Sequence, residues 1–488
     1  MKKYIIINVL ISAAIQLFLF FFIQFNNFDY LYDPNPVQSN SNLFLNPDAG
    51  HYYLMAKNLL DHGVFSRSPV NPEQHPDLHR TPTYPIFLAL LRLLSSKLFI
   101  IYIAHVILYI LSIILIMQMT NILTASKTAA FIAGLMMSLN ISAYAYVFMS
   151  MAEIFFNFLT VASVYFFVLF VKKYKTGTFS SLVSIIFLTS MFTAINVLAR
   201  PATKLHIFLF IVVGILFLRE SLRKKLIYSC LFLVFYLIFV TPWLIRNKEV
   251  FGRFEFSNSQ SINLIFWAGS SAFAMKHGLD VYDAQNLVSQ EYNIPTYEQA
   301  LNPWSYGQDP STNEEKMKSV LSKILYKYPD KVVLGALIGF CKSHLSHNTD
   351  LFAEQFGMQW IPPTLSNLYK GKIGLFFDNL SQNHAVLIFL FVYQLLYFGA
   401  LYGLLAVGAV VIVMNFARNT REIKGLYIML FLTLMYFYMM IAVVNLYSYA
   451  RHRMMAELIY FIVAGHAVLF LNRIRQNSAE IDTAVSRK

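Results

Sequence analysis

Residues 98–120 read LFIIYIAHVILYILSIILIMQMT, without a single Asp, Glu, Lys or Arg. A helix advances about 1.5 Å per residue, so about 20 mostly apolar residues cross the hydrocarbon core of a bilayer. This run is long enough to do so. Nine more runs are mostly apolar, at 4–24, 129–149, 152–171, 179–199, 202–218, 226–245, 384–414, 425–446 and 455–472. Together they predict an all-α polytopic membrane protein with about ten transmembrane helices. The composition agrees: 57% of the 488 residues are hydrophobic and 13% are charged, about half the charged share of a soluble domain.

The net charge of +13 would point to nucleic acid in a soluble protein. Its placement here gives a better reason. Lys2 and Lys3 precede the first run, and Lys172, Lys173 and Lys175 follow the fourth. Arg219, Arg223, Lys224 and Lys225 lie between the sixth and seventh runs, Arg418, Arg421 and Lys424 between the eighth and ninth, and Arg473 and Arg475 after the tenth. If ten helices alternate, all of these share one side, which the positive-inside rule makes cytoplasmic. No nucleic-acid partner is expected; an anionic lipid substrate is a second, smaller reason for the excess. No small-residue cleavage site follows Phe25, so the first helix is expected to be retained. The two cysteines, Cys230 and Cys341, imply no disulfide framework.

Val332–Cys341, bracketed by Lys331 and Lys342, tests the count. It is too short to span and is expected as an interfacial or packed helix; were it to cross, Arg418 and Arg473 would face outward against the charge rule. Two large segments then lie on the non-cytoplasmic side, at 25–97 and 246–383. The second carries turn signals such as Asn302-Pro303 and Asp309-Pro310. The expected organisation is an N-terminal transmembrane module, 1–245, with the outer loop 25–97; a mixed or helical insertion, 246–383; and a C-terminal module, 384–488, ending in a short cytoplasmic tail.

Ionisable groups at the ends of membrane helices are costly and mark functional candidates. Asp48 lies in Asn46-Pro47-Asp48-Ala49-Gly50-His51-Tyr52 ahead of a run with helical spacing; it reads either as a helix N-cap or as a general base. Arg80, in Arg80-Thr81-Pro82-Thr83-Tyr84-Pro85, reads as an interfacial anchor or a phosphate ligand, since a guanidinium binds phosphate through a fork. Glu153 starts the fourth run, where the helix dipole favours an acid. Arg200, before Pro201, breaks the charge rule by standing outside. Pro242-Trp243-Leu244-Ile245-Arg246-Asn247 closes the seventh run, and Arg451-His452-Arg453 joins the last two, with Glu457 following. Positive groups with carboxylates beside them on one face suit an anionic lipid phosphate and a hydroxyl to be deprotonated. The histidines of the first loop (His51, His62, His75, His79) could bind metal but match no tight ligand spacing, and Cys341, His344 and His347, spaced by three, put His344 and His347 near one helix face as a second metal alternative. There is no Gly-rich phosphate loop, zinc-protease motif or nucleophile elbow.

In this order the motifs resemble those of bacterial GT-C glycosyltransferases, in particular the group of dolichyl-phosphate-mannose protein mannosyltransferases and aminoarabinose lipid A transferases. The resemblance covers nearly the whole chain in topology. It implies a GT-C-like fold and a polyprenyl-phosphate sugar as donor. The implied acceptor is non-cytoplasmic: an envelope lipid, surface glycan or protein. Asp48 matches the family's essential first-loop aspartate, and Glu153 its second acidic position. Arg80, Arg200, Arg246, Arg451 and Arg453 become candidates for the donor phosphate, with His51, Tyr52, Tyr84 and Asn247 as candidate substrate contacts. The sequence departs from the protein mannosyltransferases at Ala49, where they carry the second acid of an Asp-Glu pair; this weakens protein as the acceptor. No cofactor is required by the sequence, and a divalent metal is left open because members differ. The expected function is inverting sugar transfer with Asp48 as base, in a bacterial inner membrane, with the active site on the extracytoplasmic face. The alternatives are a lipid-linked glycan polymerase or ligase, and a lipid or solute transporter, which predicts broken helices and ionisable residues at the bilayer midplane.

Overall fold

A computed structural model describes residues 1–27, 47–301, 314–363, 373–444, 446 and 449–485, without the side chains of Pro47 and 471–485. Part of the first outer loop, the turn signals at Asn302-Pro303 and Asp309-Pro310, and the side chains of Arg473 and Arg475 lie outside the described residues. The first half of the chain forms α1 (Lys2–Asn26), α2 (Pro47–His62), α3 (Thr83–Leu94), α4 (Phe99–Thr124), α5 (Lys127–Ser138), α6 (Ile141–Val147), α7 (Glu153–Lys173), α8 (Phe179–Val197), α9 (His206–Phe217) and α10 (Leu222–Phe251). The insertion holds α11 (Ser259–Asn263), α12 (Ser270–His277), α13 (Val281–Glu291), α14 (Tyr297–Leu301), α15 (Glu314–Lys327), α16 (Pro329–Leu345), α17 (Thr349–Gln355) and α18 (Ile373–Ser381). The long helices α19 (Ala385–Phe416), α20 (Arg421–Val444) and α21 (Ala450–Val485) close the chain.

Among the described residues there is no strand, and eight helices are long and apolar enough to cross a membrane: α1, α4, α7, α8, α10, α19, α20 and the 450–470 part of α21. The bent pair α5–α6 makes a ninth, and the shorter apolar helix Pro201–Phe217 occupies the remaining run. The chain is a multi-pass helical membrane protein of about ten spans. Its core is largely apolar, and polar side chains join it at particular helix faces. On α1, Asn8, Ser12 and Gln16 recur every four residues and are buried, while Leu10, Leu17, Phe18 and Phe21 are exposed. Asn8 donates to the Phe131 carbonyl at 3.0 Å, and Ser12 shares a 3.0 Å hydrogen bond with Tyr144. In hydrocarbon, such pairs join helices that apolar contact alone would not select.

The basic clusters converge at one end of the bundle. Lys175 Nζ lies 3.0 Å from Glu422, the Arg219 amide donates to Tyr174 at 3.2 Å, and Arg421 donates to the Leu216 carbonyl. At the opposite end the α3 amide of Thr83 donates to the Leu198 carbonyl at 3.1 Å, tying the first outer loop to the end of α8.

Four expectations change. The run 129–149 is not one straight span: α5 and α6 meet at 57°. Four side chains serve the carbonyls at the break. Tyr397 donates to Met136 at 2.7 Å, Tyr109 to Met137 at 2.8 Å, Tyr144 to Ser138 at 2.6 Å and Tyr393 to Leu139 at 2.8 Å. A helix end inside a membrane must find such partners, and here tyrosine hydroxyls supply them to the carbonyls of residues 136–139. Secondly, α10 does not close at Pro242–Asn247 but continues to Phe251, where Gly252 at φ 71° stops it. Thirdly, α21 begins at Ala450, so Arg451, His452 and Arg453 form its first turn rather than a loop. Fourthly, the helix of Val332–Cys341 extends to Pro329–Leu345. It packs against α20 and α21 at the Asp48 end, with Lys342 donating to the Leu446 carbonyl at 3.2 Å. The insertion has its own apolar cluster, which includes Ile262, Phe266, Phe273, Val288, Val320 and Ile324.

Candidate functional site

The site is built where α2, the 63–82 segment, α7, the α8–α9 turn and α21 meet. Asp48 stands in the first turn of α2. Its carboxylate meets two guanidiniums: Oδ1 accepts from Arg80 Nη2, and Oδ2 accepts from Arg451 Nη1 at 3.2 Å. Arg80 is held in turn by its own amide, which donates to Asp77 Oδ1 at 2.8 Å, and its guanidinium lies 5.1 Å from the Tyr52 ring. His51, one turn from Asp48, places Nδ1 at 3.3 Å from Arg80 Nη2 and 3.5 Å from Arg67 Nη1. A guanidinium only donates, so Nδ1 must carry the lone pair and Nε2 the proton. Burial and the neighbouring Arg67 and Arg80 charges lower the His51 pKa to about 2, against the opposing pull of Asp48.

A second carboxylate stands beside the first. Glu153 starts α7 and is buried; its Oε1 accepts from Arg200 Nη2 at 2.6 Å. Its Oε2 is buried and has no hydrogen-bond partner among the described residues, an exception that calls for a reason in a native site. Arg451 feels the charges of both Asp48 and Glu153, and Arg200 acts on Asp48, so the two pairs form one electrostatic unit. Tyr84 joins the halves: its ring meets that of Tyr52 at 4.9 Å edge to face and lies 5.8 Å from Phe155. Burial by itself would raise the Asp48 pKa, but the Arg80, Arg451 and Arg200 guanidiniums hold it well below the usual carboxylate range. For Arg80 and Arg200, burial opposes the charge, yet the adjacent Asp48 and Glu153 carboxylates leave both guanidiniums more firmly protonated than usual.

Of the residues singled out by sequence, Asp48, His51, Tyr52, Arg80, Tyr84, Glu153, Arg200 and Arg451 gather here. Three others do not. Arg246 Nη1 donates to the Asp77 carbonyl and to Asn247 Oδ1, each at 2.8 Å. Asn247 is buried and donates to the Glu255 carbonyl at 2.8 Å. Arg453 is fully buried and donates to Glu457 Oε1 at 2.6 Å and to the carbonyls of Ser343 (2.9 Å), His344 (3.1 Å) and Ser346 (2.8 Å). It serves the open carbonyls at the end of α16, and Glu457 also accepts from Asn140 at 2.7 Å. The pair Arg67–Asp77 was missed. Arg67 Nε donates to Asp77 Oδ2 with both side chains out of solvent, and Arg67 Nη2 donates to the Leu301 carbonyl at 2.5 Å. Four guanidiniums (Arg67, Arg80, Arg200, Arg451) thus meet three carboxylates (Asp48, Asp77, Glu153).

This donor set suits an anion rather than a divalent cation. Both Asp48 oxygens and one Glu153 oxygen face guanidinium nitrogens, and among the described residues no group of three His, Cys, Asp or Glu converges. Two of the candidate histidines have partners of their own: His62 lies 2.8 Å from Glu73, and His344 Nε2 2.7 Å from the Tyr460 hydroxyl.

No protein-family model and no curated protein sequence matches the chain. Solved structures do. The Archaeoglobus fulgidus oligosaccharyltransferase in its apo form matches over 99% of this chain and 52% of its own, with TM-score 0.51 and 12% identity. The fold is GT-C-like. The same archaeal enzyme, AglB, in complex with an inhibitory peptide and a dolichol-phosphate, matches over 99% of this chain and 51% of its own, with TM-score 0.50 and 14% identity. ArnT from Cupriavidus metallidurans bound to undecaprenyl phosphate is matched over 94% of this chain and 77% of its own, with TM-score 0.40 and 11% identity. The chain spans about half the length of the oligosaccharyltransferase structures. Within the GT-C-like bundle the arginine–carboxylate cluster lies at the end opposite the lysine-rich clusters.

Proposed function

We propose that this chain is a membrane glycosyltransferase that moves one sugar, with inversion, from a polyprenyl-phosphate donor to a hydroxyl-bearing acceptor on the non-cytoplasmic face of a bacterial inner membrane. The acceptor class is an envelope lipid, a surface glycan or a protein. The observation that carries this reading is the cluster of Arg80, Arg200 and Arg451 around Asp48 and Glu153 at one end of a GT-C-like bundle. The archaeal enzyme with this fold has been captured with a dolichol-phosphate, which is chemically what such a cluster would receive.

In the proposed reaction the acceptor oxygen attacks the anomeric carbon as the bond from that carbon to the phosphate oxygen breaks. The electron pair leaves on the phosphate, and the acceptor proton passes to a carboxylate. Arginines stabilise the phosphate charge as it develops, a contribution on the order of 10²–10³-fold per preorganised donor. Asp48 is a weak base while Arg80 and Arg451 hold it. A phosphate competing for those guanidiniums would relieve that hold, and the Asp48 pKa would climb toward the ordinary range. Base strength would then rise only with donor in place, which protects the site from idle proton transfer. Glu153, with Oε2 unpartnered among the described residues, would orient the acceptor hydroxyl or relay its proton.

The test is complementation of a deletion strain with native chain, Asp48→Asn and Asp48→Glu, read by mass spectrometry of glycolipids and surface glycans, with protein level checked in membranes. Asp48→Asn should reduce transfer by about 10²-fold or more at unchanged protein level. Transfer at the native rate by that variant would remove Asp48 from the base role.

A further inference from the structure

Asp77 has two sides. Its carboxylate holds Arg67 and the Arg80 amide within the site; its carbonyl accepts from Arg246, outside it. Around Arg246 runs a groove of about 610 Å³ between the 59–86 segment, the end of α8 and the last turns of α10. From α10 it takes Phe239, Pro242, Trp243, Arg246 and Val250, one stripe at spacings of three and four. The stripe covers about 16 Å of helix and changes character along it. At one end, within the apolar part of α10, Phe239 stands with Leu198 and Ile86 among the lining residues; Arg246 comes two turns later. Ile86, Leu90 and Leu93 on α3 and Ile238 and Ile245 on α10 are exposed, so the surfaces flanking the groove are ones that acyl chains would cover.

Arg246 is mounted rigidly. Its guanidinium lies 4.8 Å from the Trp243 ring, 5.1 Å from Phe251 and 5.6 Å from Phe65. Both of its side-chain hydrogen bonds leave from Nη1, so among the described residues Nε and Nη2 have no protein acceptor. Glu73, the acid among the lining residues, is turned to His62 at 2.8 Å. A half-buried cation of this kind calls for an anion, and the fork geometry of an arginine edge suits phosphate.

We propose that the groove binds a phosphate-headed membrane lipid distinct from the sugar donor. Its chain lies along Phe239, Leu198 and Ile86, and its phosphate sits on the Nε–Nη2 edge of Arg246. The apolar run sets the chain's direction, the arginine sets the charge of the headgroup, and the volume is within the range of small-molecule sites. Through the Asp77 carbonyl the bound lipid would steady the segment that carries Arg67 and Arg80. The proposal concerns binding alone and stands or falls apart from the sugar-transfer reading.

The test uses the full chain in nanodiscs of phosphatidylcholine doped with either brominated phosphatidylglycerol or brominated phosphatidylcholine at equal bromine content. Trp243 emission is isolated by difference against Trp243→Phe. Brominated phosphatidylglycerol should quench Trp243 more strongly than its choline counterpart, and native mass spectrometry should show phosphatidylglycerol retained. Arg246→Gln removes the cation; Ile86→Trp, with its own Trp243→Phe control, fills the chain end without touching Arg246. Each should abolish the difference in quenching, and if Arg246→Gln fails to fold, Ile86→Trp carries the test. Equal quenching by the two lipids overturns the proposal, as does a difference that survives in Ile86→Trp. Displacement by inorganic phosphate with no retained lipid would also overturn it.

Discussion

Replacing Asp77 by Asn preserves the side chain's shape and the oxygen that accepts the Arg80 amide, but cancels the charge facing Arg67. Both partners are buried, with 1% of the Arg67 and 0% of the Asp77 side chain accessible, so water does not take over the lost interaction. Removing one member of a buried ion pair costs about 3–5 kcal/mol, because the other charge is left uncompensated. Arg67 keeps its bond to the Leu301 carbonyl at 2.5 Å and its neighbour His51 at 3.5 Å, which places the expected loss at the low end, about 3 kcal/mol. That is roughly a hundredfold in the folded-to-unfolded ratio, at about 1.4 kcal/mol per tenfold. The measurement is thermal loss of the monodisperse species of the purified full chain in detergent. Arg67→Met/Asp77→Asn is measured alongside, because removing the stranded cation should recover part of the loss as a non-additive coupling. An Asp77→Asn protein as stable as the native one, or a double variant whose loss is the sum of the single losses, would refute the reasoning.

Further outcomes follow from the same geometry. Arg451→Gln removes one of the guanidiniums on Asp48 and should lower kcat/KM for the lipid donor by about 10²-fold while leaving expression unchanged; in vitro transfer with purified donor checks this. His51 has a depressed folded pKa, about 2, so its stabilising contribution is complete above its unfolded pKa of about 6.5 and declines as pH falls from there toward 2. Thermal stability of His51→Gln should therefore depend less steeply on pH across that window than the native chain. Gly408 on α19 approaches α21 so closely that an added Cβ would overlap the Val463 carbonyl oxygen. Gly408→Ala should force the two helices apart and reduce the folded yield in membranes, read by fluorescence-detected size exclusion.

The spans were legible in the sequence because a bilayer constrains the chain in one dimension. Each backbone polar group must be satisfied within its own helix, so length and apolarity are enough. Each of the ten runs carries helix along most of its described length, and residues 174–175, 216–219 and 421–422 meet at one end as the spacing of basic residues requires. The Asn140 break was not legible, because the hydroxyls that stabilise it come from Tyr109, Tyr393 and Tyr397 on other helices.

For the site, the sequence placed charge at one end of the bundle but not beside particular neighbours. Asp48, Arg80, Glu153, Arg200 and Arg451 could be selected because each is costly where it stands. Arg246 and Arg453 looked the same by that measure, yet one is stacked among Trp243, Phe65 and Phe251 and the other serves the carbonyls at the end of α16. Arg67 and Asp77 carry no periodic signal and lie in an irregular segment; only the fold shows that each is the other's counter-charge. By itself the sequence determined the membrane class, the approximate span count and the end at which polar chemistry would gather. Only the tertiary structure decided which carboxylate meets which arginine, because an ion pair is set by distances of a few ångströms between segments as far apart in the chain as Asp48 and Arg451.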